Sequence, residues 1–472
     1  MTDGFGTKKV VSELPEVILN ELPHQTQTVK SSVKEKLQEE FYNTYSIHLS
    51  QSLEIYRNQV FELLINQIDL ATASKMDHTK LRQEVERFIQ DFSSEYHARV
   101  SYQEQQQVID TIVNDMVGLG PLEILLQDKS VNDILVNAFD KVYVERYGKL
   151  YKTDVVFRNE RHVIQMAQRI ANSIGRRIDE SSPLVDARLK DGSRVNIIVP
   201  PLALDGASIS IRKFSETSLS IQDMINNKNI SEPVGALLKI AAQGRLNIIV
   251  AGGTGAGKTT LLNALSQLVN PQERIVTIED AAELKLGQPH IVRLESRPAN
   301  IEGKGEILIR DLLRNALRMR PDRIIIGECR GAEAFDMLQA MNTGHDGSMS
   351  TIHANSAGEA LSRMENMLMM TGNNLPASVL RTYIADAIDL VIHVSRMRDG
   401  KRRITQITEV RGITDGHIDI SDIFKFHYLY ESEDHKLNGE YRCLDTHPHI
   451  LEKLKIYELD KALEAHLNTK SD

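Results

Sequence analysis

Asn247-Ile-Ile-Val-Ala-Gly-Gly-Thr-Gly-Ala-Gly-Lys-Thr259 sets a short apolar run directly before a glycine-rich octapeptide, residues 252–259. The octapeptide has the form G-x-x-x-x-G-K-T, the Walker A pattern. Its glycines allow a backbone that wraps an anion with its N–H groups pointing inward, in dihedrals that a side chain would forbid. Lys258 offers a point charge to β and γ phosphates, and the Thr259 hydroxyl suits a magnesium shell. A helix expected over 259–268 would turn its N-terminus toward the same anion. A chance match would not also bring a buried strand before the loop and a helix after it. Gly252, Gly253, Thr254, Gly255, Ala256, Gly257, Lys258, Thr259 and Thr260 are therefore the expected contacts of ATP, with Mg2+ as its companion.

Around this loop, short apolar runs alternate with amphipathic stretches from 231 to 415. Strands are expected at 247–251, 274–278, 323–326, 348–352 and 389–394. They are apolar throughout, as in a parallel sheet covered on both faces. Ligands of such sheets bind beyond the carboxyl ends of the strands. Acids fall there. Glu279, Asp280 and Glu283 follow the second run, and Glu328 follows Gly327 at the end of the third. Glu328 at that depth is expensive without a cation or water to receive it, so it is read as orienting magnesium or the attacking water. Glu283 is a second candidate for placing that water. Glu279 joins Thr259 and Glu328 as a candidate metal contact, with a helix cap or surface ion pair as the alternative. His353, after the fourth run, is read as a reporter of the γ-phosphate, and His345 as a weaker candidate.

Phosphoryl transfer needs more cations than one lysine supplies. Arg188, Arg194 and Arg212 lie upstream, in a stretch from 111 to 230 that mixes strands and a helix as an α+β domain with a linker. Closure of that domain could deliver them to the nucleotide; surface arginines are the alternative. Arg310, Arg314 and Arg318 share one helix face, expected to be solvated or to meet a neighbouring subunit. Residues 1–110 read as a helical and partly flexible region, with apolar stripes at 81–89 and 108–116; the second stops at Gly118-Leu-Gly-Pro121, where glycine permits a left-handed cap. Residues 416–472 read as a C-terminal hairpin and helix.

The chain's 472 residues exceed one compact core, and its net charge of −9 speaks against a protein that coats nucleic acid. Nucleic acid is thus not an expected partner. Cys329 and Cys443 have no metal-ligand spacing, so neither zinc nor a disulfide framework is expected, which fits a reducing cytoplasm. No signal-peptide run or membrane-length apolar stretch appears. Attachment to a membrane would have to come through a partner.

Asp280 with Glu283, Arg320-Pro-Asp-Arg-Ile-Ile-Ile-Gly-Glu328, and Met341-Asn-Thr-Gly-His-Asp-Gly347 through Ser350-Thr-Ile-His-Ala-Asn355 resemble the aspartate box, glutamate-bearing Walker B and histidine box of the type II/IV secretion ATPases. With Gly118-Leu-Gly-Pro-Leu122, Val142-Tyr-Val-Glu145, Asp186-Ala-Arg-Leu189, Ile211-Arg-Lys-Phe214 and Ile301-Glu-Gly-Lys-Gly305, the chain is similar to the CpaF/TadA-type branch, the motors of tight-adherence (Flp) pili. The resemblance runs from about 110 to 455. It implies a RecA-like α/β P-loop core with a parallel sheet, preceded by a smaller α+β domain and a helical N-terminal region. It further implies a homo-oligomer, a hexamer, of a cytoplasmic ATPase peripheral to the inner membrane through a platform protein, and arginines of the α+β domain acting at the γ-phosphate. Cys329 stands where such proteins often carry a small aliphatic residue. A conjugative or type IV secretion motor, a nucleic-acid translocase and a nucleotide-gated scaffold are the competing readings.

Overall fold

The computed structural model describes residues 51–67, 76–95, 100–146, 149–214, 219–297, 299, 304–370, 372, 375–431 and 437–468. The chain divides into two compact units, 1–213 and 214–472. The positions expected as boundaries at 110/111 and 230/231 lie inside these units, the first within the helix Tyr102–Val117.

In the first unit, helices α1 (Gln51–Gln67), α2 (His78–Glu95) and α3 (Tyr102–Val117) bury one face each around Val60, Leu64, Leu81, Val85, Ile89, Ile109 and Ile112. These include the 3.6-period positions expected from sequence. A capping box between Ser101 and Glu104 starts α3. The helix stops at Gly118, but with extended backbone there; the left-handed residue is Gly120, at φ +58°. The expected left-handed cap is thus displaced by two residues.

Helix α4 (Glu123–Gln127) leads into an antiparallel sheet of β1 (Val131–Ala138), β2 (Lys141–Arg146), β3 (Lys149–Lys152), β4 (Leu184–Arg188), β5 (Arg194–Ile198) and β6 (Ser208–Arg212). Their order is β3-β2-β1-β6-β5-β4. Helix α5 (Glu160–Ser173) covers one face with Val163, Met166, Ala167 and Ile170. Buried Asp115 on α3 receives the Arg57 guanidinium from α1 and lies 3.6 Å from His162 Nε2 on α5. The helical region is thereby tied to the α+β part by charge as well as by packing.

The second unit begins with α6 (Ile221–Asn226) and α7 (Glu232–Gln243). It then alternates β7 (Ile248–Gly252), α8 (Lys258–Ser266), β8 (Ile275–Glu279), β9 (Ile291–Glu295), α9 (Ile309–Ala316), β10 (Arg323–Ile326), α10 (Glu333–Asn342), β11 (Met349–Ile352), α11 (Ala357–Met369), α12 (Ala377–Ala387) and β12 (Leu390–Arg396). Strands β13 (Arg402–Thr414), β14 (His417–Glu431) and β15 (Leu437–Cys443), with helices α13 (Ile450–Leu454) and α14 (Asp460–Leu467), complete it. The nine strands run β15-β14-β13-β12-β7-β11-β10-β8-β9, parallel from β12 to β9 and antiparallel from β12 to β15.

The five expected strands are β7, β8, β10, β11 and β12, and the first four are buried at every position. Leu237, Leu261, Leu265 and Leu454 cover one face of the sheet; Leu313, Met337, Leu361 and Ile384 cover the other. The expected boundary at 415/416 falls in the turn between β13 and β14. These strands extend the main sheet by backbone pairing, and β13's Ile407 and β14's Phe424 enter its core. The C-terminal hairpin thus contributes residues to the core of this unit.

Candidate nucleotide site

Strand β7 delivers the glycine-rich loop at the carboxyl edge of the sheet, and α8 opens directly after it at Lys258. Gly257 takes φ +102°, and a Cβ there would lie 3.1 Å from the Arg402 side chain. No side chain caps the α8 N-terminus, so its first N–H groups are left for another acceptor. Arg402, at the start of β13, donates from Nε to Gly255 O at 3.0 Å and so braces the loop from the neighbouring hairpin.

Lys258 is 8% exposed. Its Nζ donates to Gly252 O and Gly253 O, each at 3.0 Å, and lies 3.3 Å from His353 Nε2. Burial pulls its pKa down, opposed by the Glu328 carboxylate. His353, beyond β11, stands 3.0 Å from Glu328 Oε1. Its pKa is also lowered, by burial first and by the Lys258 charge second. The other oxygen, Glu328 Oε2, accepts from Arg330 Nη2 at 2.7 Å, and Arg330 Nη1 lies 3.5 Å from Asp280 Oδ2. Side chains from four strand ends thus lie in one row of close approaches: Lys258, His353, Glu328, Arg330, Asp280. Three expected residues, Lys258, Glu328 and His353, meet here. Arg330 escaped the sequence reading because an arginine in a loop carries no periodicity; its place two residues after Glu328 was the available signal.

Glu283 sits half-buried on the loop after β8, close enough to Arg330 to raise that group's pKa. Glu279 is 3% exposed, and its Oε2 is committed to the amides of Glu283 and Leu284 at 2.7 and 2.9 Å. One oxygen is thereby taken from the metal role expected of it. Thr259 and Thr260 are half-buried in the first turn of α8, while Thr254 and Gly255 are exposed and Ala256 is buried. Cys329 is enclosed beside Ser350 and Met337, where burial pushes its thiol up to about 12, so it packs as an apolar group.

Other expectations are placed elsewhere. His345 precedes β11, at the amino edge of the sheet, where its Nδ1 meets Ala340 O at 3.2 Å. Arg310 and Arg314 both bind Asp336 of α10, at 2.6 and 3.0 Å. On the face they share, these two arginines form an intramolecular ion cluster with Asp336. In the first unit, Arg188 pairs with Arg194 across β4–β5, and Arg194 with Arg212 across β5–β6. The three arginines form one cross-strand row. Like charges directly opposite destabilise a sheet, and Asp133 answers Arg212 at 3.2 Å.

A cavity of about 440 Å3 adjoins the glycine-rich loop, lined by Ala256, Gly257, Thr260, Met224, Asn227 and Arg402 among others. Its size and mixed lining suit a nucleoside. Among the described residues no group of three His, Cys, Asp or Glu is placed to hold a metal alone. Magnesium in phosphoryl-transfer sites takes one or two protein oxygens and completes its shell with water and substrate phosphate, so Thr259 with Glu328 fits that manner of binding.

A loop of backbone donors at a helix start, a buried lysine and a glutamate beyond the end of β10, two strands away from β7, define a P-loop ATPase. The chain belongs to the type II/IV secretion system protein family, whose model matches residues 115–424. A Mycobacterium tuberculosis protein that carries a conjugal-transfer name is 42% identical over 303 residues, covering 63% of this chain and 86% of that one. The type IV secretion system protein PtlH of Bordetella pertussis is 39% identical over 274 residues, covering 52% and 80%. Among solved structures, the VirB11 ATPase of the Brucella suis type IV secretion system is 30% identical over 61% of this chain and 91% of that one, with a TM-score of 0.33.

Proposed function

We propose that this chain is the ATP-hydrolysing motor of a bacterial tight-adherence (Flp) pilus, of the CpaF/TadA type, powering pilin assembly from the cytoplasmic face of the inner membrane. The carrying observation is the meeting of Lys258, His353 and Glu328 at 3.3 and 3.0 Å on the edge where the glycine-rich loop ends. ATP phosphates would lie on residues 252–260, with the nucleoside in the adjoining cavity. Thr259 and Glu328 would hold Mg2+, which supplies charge neutralisation at the β and γ phosphates. Glu283 would position the attacking water. Arg188, Arg194 and Arg212 would neutralise the γ-phosphate, from this subunit or its neighbour in a hexameric ring. No helix among the described residues is long and apolar enough to cross a membrane; a platform protein would supply the attachment.

The test is turnover of the purified chain with and without Mg2+. Glu328→Ala is expected to bind ATP while hydrolysing it about a hundredfold more slowly, and Lys258→Ala to leave piliated cells bald. Near-normal turnover in Glu328→Ala would sink the role given to that residue. A second reading, a conjugative or type IV secretion motor, is favoured by the names of the relatives. Pili intact in the Lys258→Ala strain, with substrate transfer lost, would decide for it.

A further inference from the structure

The segment that carries Asp280 and Glu283 belongs to no helix or strand, yet four consecutive amides in it are held by side chains. Ala282 N donates to Glu295 Oε2 at 3.2 Å, Glu283 N and Leu284 N to Glu279 Oε2 at 2.7 and 2.9 Å, and Lys285 N to Asn263 Oδ1 at 2.8 Å. The loop is therefore hung from β8, β9 and α8. Glu279 is the central hook, and it grips the backbone of Glu283 itself.

The same side chain touches the other acid's segment. A Cβ on Gly327 would come within 2.9 Å of Glu279 Cγ, so the residue before Glu328 must be glycine for the Glu279 side chain to lie where it does. Glu279 thus references two loops, 280–285 and 327–328, to one buried point at the end of β8. Its remaining oxygen, Oε1, is buried without a hydrogen-bond partner. Burial drives its pKa upward against the pull of the two amides. A neutral carboxyl is sufficient for this task, because one carbonyl-type oxygen can accept both N–H groups.

We propose that Glu279 is a positioning residue: by accepting the Glu283 and Leu284 amides and packing on Gly327, it sets Glu283 and Glu328 at their separation, and it does so as a hydrogen-bond acceptor rather than as a charge on the metal. This rests on the ATPase reading above. It assigns Glu279 the loop's geometry in place of a share in the magnesium shell.

Two variants of the full chain separate reach from charge. Glu279→Gln keeps the acceptor oxygen at the same distance and removes the charge; Glu279→Asp keeps the charge and withdraws the oxygen by one methylene. Glu279→Gln is expected to keep kcat within about threefold, since a typical hydrogen bond to a neutral acceptor survives. Glu279→Asp is expected to lose about a hundredfold, the effect of misplacing a reacting group by about 1 Å. In both, ATP affinity and the Mg2+ concentration for half-maximal turnover stay at the wild-type values. Gly327→Ala, which displaces Glu279 from the other side, is expected to copy Glu279→Asp. Loss in Glu279→Gln equal to or greater than in Glu279→Asp, a shifted Mg2+ requirement in Glu279→Gln, or wild-type turnover in both would overturn the proposal. Lys258→Ala is the control: turnover surviving in that variant would strike the ATPase reading itself.

Discussion

His353 Nε2 stands 3.0 Å from Glu328 Oε1 and so links the end of β11 to the end of β10. Lys258 approaches the same ring nitrogen from the glycine-rich loop at 3.3 Å. One nitrogen cannot accept from the lysine and donate to the carboxylate at once, and here Glu328 Oε1 is left without a hydrogen-bond partner.

The lowered pKa of His353 means that the imidazole stays neutral to more acid pH than an ordinary histidine near 6.5. Turnover is accordingly expected to show no inflection near pH 6.5 arising from this ring. His353→Gln, which keeps a hydrogen-bonding group, should lower kcat while leaving the shape of the profile between pH 6.5 and 8 unchanged. A wild-type inflection in that interval that vanishes in His353→Gln would contradict the assignment.

Gly257 turns the chain into α8 at φ +102°, with Arg402 on the side a methyl group would take. Gly257→Ala is expected to strain the loop by about 1–2 kcal/mol and to weaken ATP binding tenfold or more. The fold should persist, because the sheet core does not involve this atom. Calorimetric titration with ATP beside a thermal melt separates the two effects; unchanged affinity would show that the loop tolerates the Cβ.

His162 is 2% exposed, and burial is the main cause that takes its pKa down to about 4. The unfolded chain binds a proton near pH 6.5 and the folded chain only near 4, so stability is full above the higher value and falls as pH drops through the window between them. The full shift corresponds to about 3 kcal/mol. His162→Gln should show a correspondingly shallower loss between pH 6.5 and 4 in urea denaturation. Equal slopes for the two proteins would mean that His162 does not titrate in this window.

Arg323 is completely buried and binds Glu273 through Nε and Nη2 at 2.7 and 2.8 Å, at the amino edge of the sheet and away from the nucleotide loop. Removing the guanidinium empties a fully enclosed site and leaves half-buried Glu273 with only Arg245, 3.5 Å away, at a cost of about 3 kcal/mol. Arg323→Ala is expected to lower the denaturation midpoint strongly, with ATP affinity of the remaining folded protein unchanged. Arg323→Met together with Glu273→Leu should recover much of that loss. A double variant no better than the single one would argue against the charge as the cause.

Much of this was legible in the chain itself. The strands at 247–251 and 323–326 were readable because a strand buried on both faces must be apolar at nearly every position. The loop 252–259 was readable because its glycines answer a local dihedral requirement. Where the signal is not local, reading failed. Strand β9 alternates partly buried and exposed positions at the sheet edge, and Arg330 sits in a loop whose composition is ordinary. Residues 416–472 read as a hairpin and helix of their own, since nothing in a hairpin's sequence says which sheet its edge will join.

The nucleotide loop, the alternation of strands with helices and the acids at strand ends could all be read from the chain, because each answers to residues a few positions away. Which of those acids face one another is a property of the folded sheet. Glu279, Asp280, Glu328 and His353 come together because β8, β10 and β11 lie side by side, and that order depends on crossover connections and on the packing of helices against both faces. Such long-range burial has no signature in any single stretch of the chain.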